Sequence, residues 1–492
     1  MRQNLRVVYV SAEASPFAKS GELADVASSL PKYLSSLGVE VSIFIPKYRF
    51  PEIDSLTKEI VLSEFSVPLG EKKVKASVYK SELGKYDIYF VENPKYFWRE
   101  NIYGTEKGDY LDNDERFIFF SRAVLEFLLK SKMHVDLIHC NNWPTALIPL
   151  FLSTHYAHRT LFKEAATVLT LHNAFYQGEF PPETLSLTGL SWNYFNPQQL
   201  SFGGRFNFLK AGIIFSDVLN TVSPAYKREI QTKKHGFGLE GLLKKRREVF
   251  FSIRNGVDCE VWNPETDPYI VANYTSANLR SKIKCKQDLI EEFGLSLSTR
   301  TPLVGIVSYL TFHKGFDLLI EVIDEVMKMD VGLVVLGKGN EKYEKEFQEI
   351  MRRYPQKVGV RLEMGPALAH KIAAGADILL VPSLYEPCGL QQLYSFRYGT
   401  VPVVRATGGL AETVRSFNVK TRKGNGFVFK EFTSQALLET LEAALNCYRR
   451  PDLWKKIMEA GLRENFSWEK AARKYLRLYQ RALEVRKGGK IG

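Results

Sequence analysis

The sequence predicts an α/β protein of two facing Rossmann-like domains with a cleft between them. Three observations carry this. The chain has 492 residues, more than one ordinary core accommodates. Residues 375–404 read as one β-loop-α-β unit of a parallel sheet: an apolar run ended by Pro382, a tight loop from Ser383 to Gly389, a helical spacing of Leu390, Leu393, Tyr394 and Arg397, then Gly399 and a second apolar run. The third is that the two halves share a logic. Each opens with a short strand, a loop holding a lysine and a glycine, and an amphipathic helix.

In the first half, residues 6–11 are a strand and residues 12–21 a loop ending Lys19-Ser20-Gly21. Leu23, Val26, Ala27, Leu30, Leu34 and Leu37 mark a helix closed by Gly38. A glycine and a lysine at the first strand-to-helix turn suit an anionic ligand, but without G-x-G-x-x-G no dinucleotide site is indicated. Residues 47–92 change texture: Val74, Ala76 and Val78 alternate with polar residues, which predicts an inserted hairpin region. Two buried strands, residues 135–140 and 166–171, each end in polar residues, His139 to Trp143 and His172-Asn173. Polar side chains at strand ends fit a ligand site, although a lone histidine is as readily a structural group.

The second half begins after turn-rich residues near 255–268. Residues 303–308 form a strand, Lys314-Gly315 stand before a helix, and residues 331–336 form the next strand. Glu386 then lies at a strand-to-helix turn, where ligands of open α/β sheets bind and where amides favour an anion. A helix-capping carboxylate is the plainer reading of an isolated Glu-Pro-Cys-Gly. Thr407-Gly408-Gly409 start another helix, with glycines expected to let a phosphate approach. The predicted domains are residues 1–252 and 253–468, with 469–492 a helix returning to the first.

Composition narrows the function. A hydrophobic content of 45% and a charge content of 25% are those of a soluble globular protein. The net charge of +12 suits an anionic substrate, and equally a basic solvated surface. Only residues 244–247 cluster basic side chains, so nucleic acid is not indicated. The five cysteines are far apart without metal-ligand spacing, which predicts reduced thiols in a cytoplasm and no metal centre. The N-terminal apolar stretch, residues 5–10, is only strand-length and no 18-residue apolar run is present, so neither secretion nor membrane spanning is expected.

The run Pro382 to Gln392, with Arg397 to Val414, resembles the bacterial glycogen synthase and plant starch synthase family. So do Leu169 to Asn173, Tyr176-Gln177-Gly178, Phe206 to Lys210, Asn220 to Pro224 and Asn255 to Asp258. The resemblance spans Val10 to about Trp468. It implies a GT-B fold, ADP-glucose as donor, an α-1,4-glucan as acceptor, retention of configuration, and no cofactor or metal. Carried over residue by residue, it gives Lys19 with Gly21 a place at the donor diphosphate and His172 a contact to the transferred glucose. Lys314 would stabilise the leaving diphosphate. Glu386 would orient the sugar and support its oxocarbenium-like transition state. The amides of Cys388, Gly389 and Leu390 would hold sugar and phosphate, Thr407 and Gly408 would lie near the distal phosphate, and Asn142 and Asn173 would belong to the substrate-binding set. The sequence departs from the pattern at Glu22, Asn142, Tyr309, Met364 and Leu384. Two readings stay open: an active glucan synthase, and a catalytically weakened paralogue that binds glucan or regulates.

Overall fold

The computed structural model describes residues 5–50, 53, 59–84, 86–105 and 108–488. The chain divides into two compact units, Met1–Gly256 with Trp468–Gly492, and Val257–Ser467. The sequence-based boundaries at 252/253 and 468/469 are therefore displaced. Trp468 is almost completely buried in the core of the first unit. The Val257 amide donates to the Phe466 carbonyl (2.7 Å), which closes the second unit just inside the two crossings.

The first unit is built on a nine-stranded sheet. Its strands in chain order are β1 (Arg6–Val10), β2 (Glu40–Pro46), β3 (Glu59–Leu69), β4 (Lys72–Leu83), β5 (Tyr86–Glu92), β6 (Leu137–Asn141), β7 (Ala166–Leu171), β8 (Val218–Thr221) and β9 (Phe250–Ser252). They lie in the order β9-β8-β7-β6-β1-β2-β5-β4-β3. All pair in parallel except the hairpin β3–β4, whose second strand also runs antiparallel to β5. The alternation of Val74, Ala76 and Val78 belongs to β4 of that hairpin. Residues 51–52, 54–58 and 85 of the 47–92 segment lie outside the described residues. The helix Trp468–Lys487 buries Trp468, Ala472, Tyr475, Tyr479 and Ala482 at helical spacing in the same core. It is fixed by polar contacts too: Tyr479 Oη lies 2.8 Å from His139 Nδ1, and Asn220 Nδ2 donates to Tyr475 Oη (3.1 Å). Its sequence-based span, to 492, includes residues 489–492, which are outside the described set.

The second unit holds a six-stranded, all-parallel sheet. Its strands are β10 (Leu303–Val307), β11 (Gly332–Leu336), β12 (Val358–Arg361), β13 (Ile378–Val381), β14 (Val401–Arg405) and β15 (Phe427–Phe429), ordered β12-β11-β10-β13-β14-β15. Leu333 and Val335 of β11 enter one core, Val334 and Leu336 another, so both faces are covered. That is why these strands read as unbroken apolar runs.

Strand order places the predicted site residues. In the first unit the chain runs outward from β1 through β2, then crosses back to β6, so β1 and β6 flank a topological switch point. In the second unit β10 and β13 do the same. Open α/β sheets bind ligands beyond the carboxyl ends of the strands at such points.

Candidate active site

In the second unit three loops follow the carboxyl ends of β10, β13 and β14, and each carries predicted residues. Lys314 follows β10, Glu386 follows β13, and Thr407-Gly408 follow β14. Lys314 Nζ lies 2.7 Å from Glu386 Oε2, with the lysine side chain 21% exposed and the carboxylate 5%. Ser383 Oγ donates to the same carboxylate oxygen (3.0 Å). The two residues that the sequence singled out from loops 72 positions apart are thus one ion pair.

The loop bearing Glu386 is held by backbone contacts that glycine alone permits. Gly315 has φ +74, and a Cβ there would stand 2.1 Å from the Pro382 carbonyl oxygen. A Cβ on Gly408 or Gly409 would stand 1.9 Å from the Glu386 oxygen or 1.8 Å from the Cys388 oxygen. The Gly409 amide donates to the Glu386 carbonyl (3.1 Å). The two glycines expected to admit a phosphate also serve packing: they let the helix Gly408–Thr413 seat against the Glu386–Cys388 backbone. Arg405 Nη1 donates to the carbonyls of Leu384 (2.6 Å) and Ser383 (3.2 Å). The Leu384 amide reaches the His313 carbonyl (2.8 Å), and the His313 ring stacks on Tyr385. Burial, reinforced by the Lys314 charge and opposed by Glu386, lowers the His313 pKa to about 4, so this histidine is neutral beside the ion pair. Cys388 and Leu390 are buried just before the helix Gln391–Arg397, and Gln392 Nε2 caps the Cys388 carbonyl (3.3 Å). Gly389, at φ +68, makes the turn between them.

In the first unit the neighbouring strands β1, β6 and β7 deliver the rest. The loop after β1 carries Lys19 and Gly21, β6 runs into Asn142, and β7 runs into His172 and Asn173. Lys19 Nζ is clasped by both oxygens of Asp25 (2.7 and 2.8 Å) on the following helix. Gly21 has φ −166, extended backbone open to any residue, and a Cβ there would meet no atom within 4 Å. Asn142 Oδ1 accepts from the amides of His172 (2.8 Å) and Asn173 (3.4 Å), tying β6 to β7. Asn173 Oδ1 in turn accepts from the Phe175 amide (3.0 Å).

The His172 proton can be placed by elimination. Asn141 Nδ2 donates to the Val10 carbonyl (2.9 Å), so Asn141 Oδ1 faces His172 Nε2 at 2.9 Å. That nitrogen therefore carries the hydrogen, and Nδ1 keeps a lone pair. Burial drives the His172 pKa down to about 3, so the ring is neutral at physiological pH.

Several residues around these sites were not singled out from sequence. Glu13 is buried against the Lys19 loop, Asp25 pairs Lys19, Asn141 sets the His172 tautomer, and Ser383 and Arg405 hold the Glu386 loop. A carboxylate or amide at a strand end was the available signal for Glu13 and Asn141. Conversely, His139, polar and at a strand end, is fully buried between Tyr479 Oη and Thr170 Oγ1 and is structural. Of the departures from the family pattern, Asn142 makes the bonds above and Met364 is 40% exposed. Glu22 opens the first helix, where a negative charge complements the helix dipole. Among the described residues no three His, Cys, Asp or Glu side chains converge as metal ligands, and no helix is long and apolar enough to cross a membrane.

Comparison with known proteins agrees with this arrangement. Residues 6–245 match the starch synthase catalytic domain family, and residues 290–461 match glycosyl transferases group 1. A glycogen synthase of Koribacter versatilis is 42% identical over 485 residues, covering 98% of this chain and 99% of that one. One from Thermotoga petrophila is 45% identical over 487 residues, covering 97% and 99%. Among solved structures, the catalytic domain of starch synthase IV from Arabidopsis thaliana, bound to ADP and acarbose, superposes with a TM-score of 0.92 at 34% identity, covering 98% of this chain and all of that one. A sucrose-phosphate synthase from Thermosynechococcus elongatus, at 15% identity and a TM-score of 0.59 over 98% of this chain and 100% of that one, shares the fold. The strand-end residues, the two Rossmann-like sheets and full-length similarity at this level together mean that the chain belongs to the glycogen synthase family of GT-B glycosyltransferases.

Proposed function

We infer that the protein transfers glucose from ADP-glucose to the non-reducing end of an α-1,4-glucan with retention of configuration. The observation that supports this best is the Lys314–Glu386 pair at the switch point of the second sheet. The lysine can exchange its carboxylate partner for the diphosphate of an arriving nucleotide sugar. The freed carboxylate then faces a sugar whose anomeric carbon becomes positive as the bond to diphosphate breaks. Preorganised charges at the place where charge develops are a large source of rate enhancement. The C1–O bond to the diphosphate breaks, a C1–O bond to the acceptor hydroxyl forms, and the hydroxyl proton leaves with the ADP. No paired acid and base of the glycosidase kind is then required.

The other residues take supporting roles in this reading. Lys19 contacts the diphosphate, beside the open space over Gly21. Neutral His172, its Nε2 hydrogen engaged by Asn141, accepts from a glucose hydroxyl at Nδ1. Asn142 and Asn173 hold that strand end. Cys388, Gly389 and Leu390 present backbone to sugar and phosphate, and Thr407 and Gly408 stand toward the distal phosphate. Cationic side chains offset the diphosphate charge, so no metal and no cofactor are invoked. The five free cysteines suit a reducing cytoplasm.

The test is transfer of labelled glucose to glycogen from ADP-glucose, with UDP-glucose run alongside. Glucan labelling that is faster from ADP-glucose is expected. Background labelling with both donors would replace this reading with that of a glucan-binding paralogue, and faster labelling from UDP-glucose would overturn the donor assignment.

A further inference from the structure

One buried carboxylate in the first unit has no part in the chemistry above. Glu13 lies two residues before the cis Ser15-Pro16 bond in the loop after β1, and only 3% of it is exposed. Its Oε2 accepts from the backbone amides of Ser20 (2.7 Å) and Gly21 (3.1 Å). Its Oε1 accepts from Ser20 Oγ (2.8 Å) and Tyr103 Oη (3.0 Å). The four donors converge on one side chain, and three of them belong to the two residues that follow Lys19.

We propose that Glu13 is a positioning residue of the donor site, holding the Lys19-Ser20-Gly21 loop in its binding conformation before the nucleotide sugar arrives. The inner side of the loop is fastened by Glu13, while its outer side, at Gly21, is open space. Lys19 leaves Asp25 for the diphosphate by a side-chain movement alone, with the backbone already ordered. All four contacts of the Glu13 side chain are hydrogen bonds to donors and none is an ion pair, so a neutral acceptor of the same length can replace it. Glutamine is such an acceptor. Its oxygen takes both backbone amides, and its NH2 donates to the hydroxyls of Ser20 and Tyr103, which can turn to accept.

This proposal rests on the reading of Lys19 as a donor contact, and the experiment separates the two. Glu13→Ala, Glu13→Gln and Lys19→Ala are assayed for donor KM, glucan KM and kcat, and amide hydrogen exchange at residues 18–22 is read without substrate. In Glu13→Ala the Ser20 and Gly21 amides exchange faster. The donor KM rises about tenfold or more, the equivalent of ordering one residue's backbone on binding. The glucan KM stays within about twofold. Glu13→Gln restores both the exchange protection and the donor KM. Should the alanine variant not fold, Glu13→Asp, one methylene shorter, withdraws the carboxylate from both amides and is read in the same way. Unchanged exchange and donor KM in Glu13→Ala would overturn the proposal. So would Glu13→Gln as impaired as alanine, which would make the charge rather than the hydrogen-bond acceptor the active feature. An unchanged donor KM in Lys19→Ala would instead overturn the donor reading of Lys19, while the exchange data would still report on the hold of Glu13 on the loop.

Discussion

Replacing Glu386 by glutamine separates what the carboxylate does for the fold from what it does for the reaction. The variant keeps an oxygen for Ser383 Oγ and removes the charge that pairs with Lys314. A hydrogen bond to a charged group contributes about 1.5–3 kcal/mol. Lys314 is about one-fifth exposed, so water takes over part of that interaction, and a loss of about 1–2 kcal/mol is expected. For a domain of this size, each kcal/mol moves Tm by about 2–4 °C, so the melting temperature should fall by roughly 2–8 °C. The effect on turnover should be much larger. Removing one preorganised charge-stabilising group costs about 10²–10³ in kcat, equivalent to about 3–4 kcal/mol of barrier. Calorimetry for Tm, and initial rates of glucose transfer to glycogen at saturating donor and acceptor, read the two quantities independently. A kcat within about threefold of the unaltered protein, beside a measurable loss of Tm, would make the pair a structural salt bridge and refute the reasoning.

Other outcomes follow from the same structure. Gly409→Ala places a methyl against the Cys388 carbonyl; it should displace the Glu386 loop and cost about 2 kcal/mol or more of stability, and an unchanged Tm would show that the loop yields freely. Gly21→Ala meets no atom and needs no unusual φ, so Tm should stay within about 1–2 °C while the donor KM rises if the diphosphate occupies that space; an unchanged KM would remove the ligand from it. His172 has its folded pKa lowered to about 3, against about 6.5 unfolded, so below pH 6.5 the unfolded chain binds the extra proton. The stabilisation from this neutral histidine is complete above pH 6.5, is lost as pH falls from 6.5 toward 3, and amounts to about 2 kcal/mol lost by pH 5. Comparing the pH dependence of stability with that of His172→Gln measures it; identical slopes between pH 6.5 and 5 would contradict the burial argument.

The architecture was legible because both sheets consist of buried parallel strands, whose continuous apolar runs stand out between lysine-glycine and polar loops. Lys314, Glu386 and His172 stood out for a related reason: each is a chemically distinctive residue in the loop that follows such a run. What escaped was set by contacts between distant positions. Glu13 looked like any loop carboxylate until Tyr103, 90 positions away, and the Ser20-Gly21 amides closed around it. His139, like His172, is a histidine near the end of a buried strand, yet Tyr479, 340 positions downstream, makes it structural. Gly408 and Gly409 stood out as glycines opening a helix, but their packing role was hidden, since the carbonyls they clear belong to the Glu386 loop. The domain boundaries shifted by a few residues because turn-forming composition near 255–268 marks a loop, whereas the burial of Trp468 decides where the second unit ends.

Titration of ADP into the unaltered protein and into Lys314→Ala, followed by calorimetry, tests most directly whether the lysine exchanges its carboxylate for a diphosphate. The structure predicts binding weakened by about 10- to 100-fold in the variant, the range of one charge-assisted hydrogen bond. Equal affinity in the two proteins would show that the ammonium stays on Glu386 and that the donor is held elsewhere.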